Sequence, residues 1–168
     1  MKPLLIVDGY NIIGAWREAE RGGWTLAECR DQLLHLLQDL SGYTGEEIVL
    51  VFDGYQSERR TRTEESYGGV TQVFTKHGET ADSYIERRVA QTPKYREVRV
   101  ATSDGLEQSQ ILSTGATRLT AKELLREAAQ LRREGLEEHK TQAPLRRNPI
   151  MASLDPSQLE KLERFRSG

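Results

Sequence analysis

Two apolar runs, Leu4-Leu5-Ile6-Val7 and Ile48-Val49-Leu50-Val51-Phe52, break an otherwise polar chain, and each stops at an acid followed by glycine, Asp8-Gly9 and Asp53-Gly54. Neither run alternates. Uninterrupted apolar strands are those covered on both faces, as in a parallel α/β sheet, and Pro3 suits a strand start. Shorter candidates follow at Val70 to Phe74, at Val98 to Ala101 leading into Thr102-Ser103-Asp104-Gly105, and at about Thr117 to Leu119. Between them the period becomes helical. Thr25 with Glu28 is a capping box, after which Leu26, Cys29, Leu33, Leu36, Leu37 and Leu40 recur on one face until Ser41-Gly42. Thr80 caps a helix that turns Ile85 and Val89 inward, with Asp82 on the same stripe and Thr92-Pro93 as its stop. A short helix through Leu106, Ile111 and Leu112 reaches Gly115, and Thr120 with Glu123 opens another carrying Leu124, Leu125, Ala128 and Leu131.

The remaining stretches read as connections. One follows Asn11 and contains Trp16 and Gly22-Gly23, and a charged segment from Tyr55 to Gly69 reads as a surface loop. From His139 to Ser153 the helical period is lost in a basic linker, and Asp155-Pro156 then opens a terminal helix with Leu159, Leu162 and Phe165. Strands alternating with helices predict parallel βαβ units, hence an α/β fold.

Size and composition narrow the class. A chain of 168 residues is one ordinary domain with a tail, and 36% hydrophobic with 30% charged residues predicts a polar surface. No stretch approaches the roughly 18 apolar residues of a membrane span and no signal peptide opens the chain, so a cytoplasmic protein is expected. Cys29, the single cysteine, reads as a small buried apolar residue. A net charge of −2 argues against a simple nucleic-acid-binding domain but not against a nuclease, whose site acids and flanking bases cancel in the sum.

If the sheet is parallel, Asp8, Asp53 and Asp104 leave it on one edge, and Asp82 joins them from the first turn of a helix that begins there. Ligands of open α/β sheets bind at that edge. Clustered carboxylates repel one another unless a cation lies among them; Mg²⁺ or Mn²⁺ fits an all-oxygen donor set and suits hydrolysis of a phosphodiester. Asn11 could orient water or a phosphate oxygen. Structural roles compete at every position. Asp104 with Glu107 is itself a capping box, Asp82 suits the dipole of a helix start, Asp8-Gly9 and Asp53-Gly54 suit turns, and Asn11 suits an N-cap. Thr80 already supplies the cap before Asp82, which favours chemistry there. Phosphate-loop, dinucleotide and zinc signatures are missing, and His77 reads as a loop residue. Arg59, Arg60, Arg62, Lys76, Arg87 and Arg88 would flank the acids and hold phosphates, or else form a solvated face. Tyr10 and Trp16 could stack on a base, although Trp16 better suits covering the core.

Together Ile6-Val7-Asp8-Gly9-Tyr10-Asn11, Val51-Phe52-Asp53, the run from Gly78 to Glu86 and Ser103-Asp104-Gly105-Leu106-Glu107-Gln108 resemble the YacP group of NYN-domain ribonucleases, relatives of the PIN-domain nucleases. The resemblance covers about Leu4 to Leu131. It implies a PIN-like, flavodoxin-like three-layer α/β sandwich with a mostly parallel central sheet flanked by helices. The nuclease domain would be residues 1–138, followed by a basic linker and C-terminal helix at 139–168. It further implies a metal-dependent endoribonuclease with Asp8, Asp82 and Asp104 as the metal-site acids, Asn11 beside them, and Asp53 as an additional acid. Members of the group are tied to cleavage of mRNA on the translating ribosome, so mRNA and the ribosome are the implied partners. The rivals are an RNA- or ribosome-binding module with little cleavage and a different metal-dependent phosphohydrolase. Tyr10 stands where a haloacid-type enzyme would want a second Asp.

Overall fold

The computed structural model describes residues 1–102 and 115–142, with side chains through 135. Its strands are β1 (Leu4–Asp8), β2 (Glu47–Phe52), β3 (Thr63–Tyr67), β4 (Val70–Phe74), β5 (Val98–Ala101) and β6 (Thr117–Leu119). The helices are α1 (Gly9–Gly14), α2 (Arg17–Gly22), α3 (Leu26–Thr44), α4 (Ala81–Gln91) and α5 (Ala121–Gln142). The sheet has six strands in the order β3-β4-β2-β1-β5-β6, all parallel except the antiparallel pair β3 and β4.

Both central strands are buried on two faces, which is why their apolar runs do not alternate. Leu5, Val7, Ile48, Leu50 and Phe52 point to a core completed by Leu33, Leu36, Leu37 and Leu40 of α3 and Leu124 and Ala128 of α5. On the other face, Leu4, Ile6, Val49 and Val51 pack against Tyr84, Ile85 and Val89 of α4. Helix, sheet and helix therefore form three layers, as expected. Each fully buried Leu, Ile or Val stabilises by roughly 1.5–3 kcal/mol, so the two clusters supply most of the driving force. The expected N-caps also form: the hydroxyls of Thr25, Thr80 and Thr120 accept from the N–H groups of Glu28, Ser83 and Glu123.

Several elements differ from the sequence expectation. The connection after Asn11 is two short helices, because α1 starts directly at the end of β1 and α2 closes on Gly23 in the left-handed region at φ 62°. The charged segment before Gly69 contains β3, which turns into β4 through Gly68-Gly69. Helix α3 passes Ser41-Gly42 and ends at Gly45, φ 74°, while Leu26 at its start is 51% exposed rather than buried. Helix α5 continues past His139 to Gln142. The expected helices around Leu106 and beyond Asp155 lie outside the described residues. The chain divides into two compact units, Met1–Arg132, which holds the whole sheet, and Arg133–Gly168, of which the last turns of α5 are described. Among the described residues no helix is long and apolar enough to cross a membrane.

From β1 the sheet grows through β2 and β4 on one side and through β5 and β6 on the other. The switch between β1 and β5 lies beside the carboxyl end of β1, where a crevice for ligands opens in such sheets.

Candidate active site

Asp8 is the last residue of β1, in register with Val51 of β2, and is half-buried at that switch. It occupies the N-cap position of α1 with φ −79° and ψ 97°, yet its side chain makes no capping hydrogen bond. The helix follows without a loop because Gly9 is small: a Cβ there would come within 2.4 Å of the Phe52 ring. Phe52 in turn packs on Tyr10 at 5.0 Å and on Phe74 at 5.2 Å between centroids, an aromatic layer under the strand ends. Tyr10 is tied down further, its hydroxyl accepting from Arg30 at 3.3 Å. Asn11 is the third residue of α1, so it is not the N-cap that its sequence position also suited.

Asp53, the exposed residue after β2, works as a latch. One carboxylate oxygen accepts from the N–H of Tyr55 at 2.8 Å and the other from the N–H of Ala81 at 3.1 Å. Ala81 opens α4, whose first-turn N–H groups have no partner within the helix. The latch thus fixes the start of α4 to the end of β2 and brings Asp82 to the same edge as Asp8. Asp82 is half-buried and makes no ion pair among the described residues, and Thr80 and Asp53 together satisfy two of the donors around it.

A tight junction holds this corner. The buried Thr75 hydroxyl accepts from Gly54 N–H at 2.6 Å and donates to the Glu79 carbonyl at 2.8 Å. A Cβ on Gly54 would lie 1.9 Å from the Thr75 carbonyl oxygen. Gly54→Ala is therefore expected to destabilise the fold by about 1–3 kcal/mol, read as a lowered Tm, because backbone rather than a pliant side chain must move. An unchanged Tm would show that the junction is loose. His77 donates its Nδ1–H to the Ser57 carbonyl at 2.8 Å and is the loop residue expected.

Glu79 was not singled out from sequence. It is 5% exposed and accepts from Arg62 through both oxygens and from Arg87 at 3.2 Å. The hydrogen bond from Arg62 is the main reason its carboxyl pKa is lowered, against the opposing effect of burial. The guanidinium of Arg62, stacked 4.8 Å over the Tyr84 ring, is shifted upward by the same bond.

The basic residues separate into two groups. Arg59 lies 4.6 Å over the Phe74 ring, and Arg60 and Lys76 are exposed without ion pairs among the described residues, all three on the loops beyond β2 and β4. Arg62, Arg87 and Arg88 instead line a cavity on the α4 face of the sheet. A second cavity of about 440 Å³ joins Trp16 and Leu125 to Arg17, Lys122 and Arg126. Lys122 and Arg126 escaped notice because charges on a helix read as a solvated face. Trp16 packs against the core and meets Trp24 edge-on at 5.2 Å. Among the described residues no three His, Cys, Asp or Glu side chains form a metal-holding group, and Asp104, the third expected acid, lies outside them.

The chain is similar to known proteins in sequence and in fold. The family described as YacP-like NYN domain matches residues 5–167, extending past the stretch that carries the sequence motifs. A Bacillus subtilis (strain 168) protein named Uncharacterized protein YacP is 37% identical over 132 residues, 77% of this chain and 77% of its own. The crystal structure of Rae1 (YacP) from Bacillus subtilis superposes with a TM-score of 0.70 at 34% identity, over 100% of this chain and 96% of that one. A single-site mutant of it gives a TM-score of 0.69 at 34% identity, over 91% and 85% of the two chains.

Proposed function

The chain belongs to the YacP-like NYN domain family, and on that premise we propose that it is a metal-dependent endoribonuclease hydrolysing RNA phosphodiesters, acting on mRNA with the ribosome in the cytoplasm. One observation carries the proposal: Asp8 closes β1 at the switch point, while the Asp53 latch sets Asp82 on the same edge. The mRNA and ribosome in it follow from the resemblance in the sequence motifs.

The donors suit a hard cation. Carboxylate oxygens of Asp8 and Asp82, with Asp104, would hold Mg²⁺ or Mn²⁺, and Asp82 lacks a cationic partner among the described residues that would compete. When bound, such an ion offsets charge developing on a phosphodiester and lowers the pKa of a coordinated water. The protein's own groups do the rest. Asn11, one turn beyond Asp8, orients the attacking water or a phosphate oxygen through its amide. Asp53 keeps the start of α4 fixed, so that Asp82 needs no rearrangement. Arg59, Arg60 and Lys76 hold the strand by its phosphates, a contact that positions RNA without reading sequence.

Labelled RNA, free and on translating ribosomes, is expected to yield products with Mg²⁺ or Mn²⁺ and none after chelation. Salt-dependent binding with no products under any of these conditions would replace the nuclease by a binding module.

A further inference from the structure

The Nε–H of Arg88 is buried and, among the described residues, has no hydrogen-bond partner. Leaving such a donor unsatisfied is unfavourable, and a bound ion is one reason a fold retains it. Arg88 stands in the wall of a cavity of about 420 Å³, within the range of small-ligand sites. Val49 and Thr71, register partners on β2 and β4, form its floor; α4 and β3 form the walls. Among the described residues Arg62, Arg87 and Arg88 face one lining carboxylate, Glu64, which already accepts from the Tyr84 hydroxyl at 3.3 Å. Glu79 holds Arg62 and Arg87 from outside the lining, whereas Arg88 reaches its nearest acid, Glu47, only at 4.0 Å. Guanidinium forks and hydroxyl donors around one cavity match the geometry and charge of a phosphate.

We propose that this cavity is a phosphate-binding site that holds a phosphate group of the RNA away from the cut site, an inference resting on the nuclease reading above. Helix α4 sets the spacing. Arg88 follows Asp82 by six residues on the same helix, about 9 Å along its axis, so the cavity stands apart from the acidic edge. A strand with one phosphate at the acidic edge would then present another to Arg88. Arg62, Arg87 and Arg88 accordingly act as an anchor rather than as the flank of the reacting centre.

Two measurements on the metal-free full-length protein test this without relying on cutting. Inorganic phosphate should shift the Arg88 Nε–H NMR signal saturably, while chloride at equal ionic strength should not. In chelator, Arg88→Gln should weaken binding of a short single-stranded RNA about 10-fold and lower the salt slope by roughly 0.7. Ser66→Asp, which adds a negative charge at an exposed position of the lining, should weaken it comparably. A loss confined to 5′-phosphorylated RNA assigns a chain end to the cavity and a loss with either RNA assigns an internal phosphodiester; both support the site. No saturable phosphate shift overturns it, as does parental RNA affinity in both variants. A protein that passes these tests yet never cuts RNA removes the nuclease reading alone.

Discussion

Asp82→Asn is expected to cut RNA at least about 100-fold more slowly than the parent in saturating Mg²⁺ or Mn²⁺, and Asp8→Asn to do the same. The substitution keeps the shape of the side chain and removes one of the charges that would hold the cation. Stability should change little. Asp82 makes no ion pair among the described residues, and the interaction of a first-turn acid with the helix dipole is worth about 0.3–1 kcal/mol. That separates the two roles open to Asp82: a residue serving only the helix would lower Tm slightly and leave the cleavage rate untouched. Parental rates in both variants, measured on translating ribosomes as well as on free RNA, would end the assignment.

Glu79→Ala should produce the largest loss of stability, about 2–4 kcal/mol, seen as a lower denaturation midpoint at unchanged slope. It leaves Arg62 and Arg87 without the carboxylate that both share, beside a corner already short of room at Gly54. Removing one member of a buried ion pair costs about 3–5 kcal/mol, and the partial exposure of both arginines reduces it here. The pH dependence follows from the direction of the shift. Because folding lowers the carboxyl pKa of Glu79, the stabilisation is complete above the ordinary glutamate value of about 4.3 and disappears as pH falls through the lower folded value. The parent should therefore lose stability on acidification more steeply than Glu79→Gln. Parallel profiles for the two proteins, or a Glu79→Ala midpoint equal to the parent's, would show that the pair contributes nothing.

What could be read from the sequence depended on how far apart the cooperating residues are. Doubly covered strands announce themselves locally, so β1 and β2 were legible, and a cap reaches only three residues ahead, so Thr25, Thr80 and Thr120 marked true helix starts. Strand β3 gave no such sign. An edge strand bonded on one side can form from Thr63-Glu64-Glu65-Ser66-Tyr67 because the backbone ladder to β4 holds it without an apolar face. Asp53 was half legible: its bond to Tyr55 is the turn that Asp-Gly suggests, but its bond to Ala81, 28 residues on, is tertiary. Glu79 was hidden for the same reason, its partner Arg62 lying 17 residues before it. Leu26 fitted the helical stripe, yet the first turn of α3 projects beyond the core it was expected to join.

Strand β3 also bears on how copies of the molecule tolerate one another. Among the described residues no strand pairs with its outer rim, the kind of margin on which a second chain can add itself and begin a fibril. Glu64 and Glu65 stand exposed there, and an incoming identical strand would have to crowd its own carboxylates against them. The same polarity that disguised β3 as a loop thus opposes strand-to-strand association along that margin.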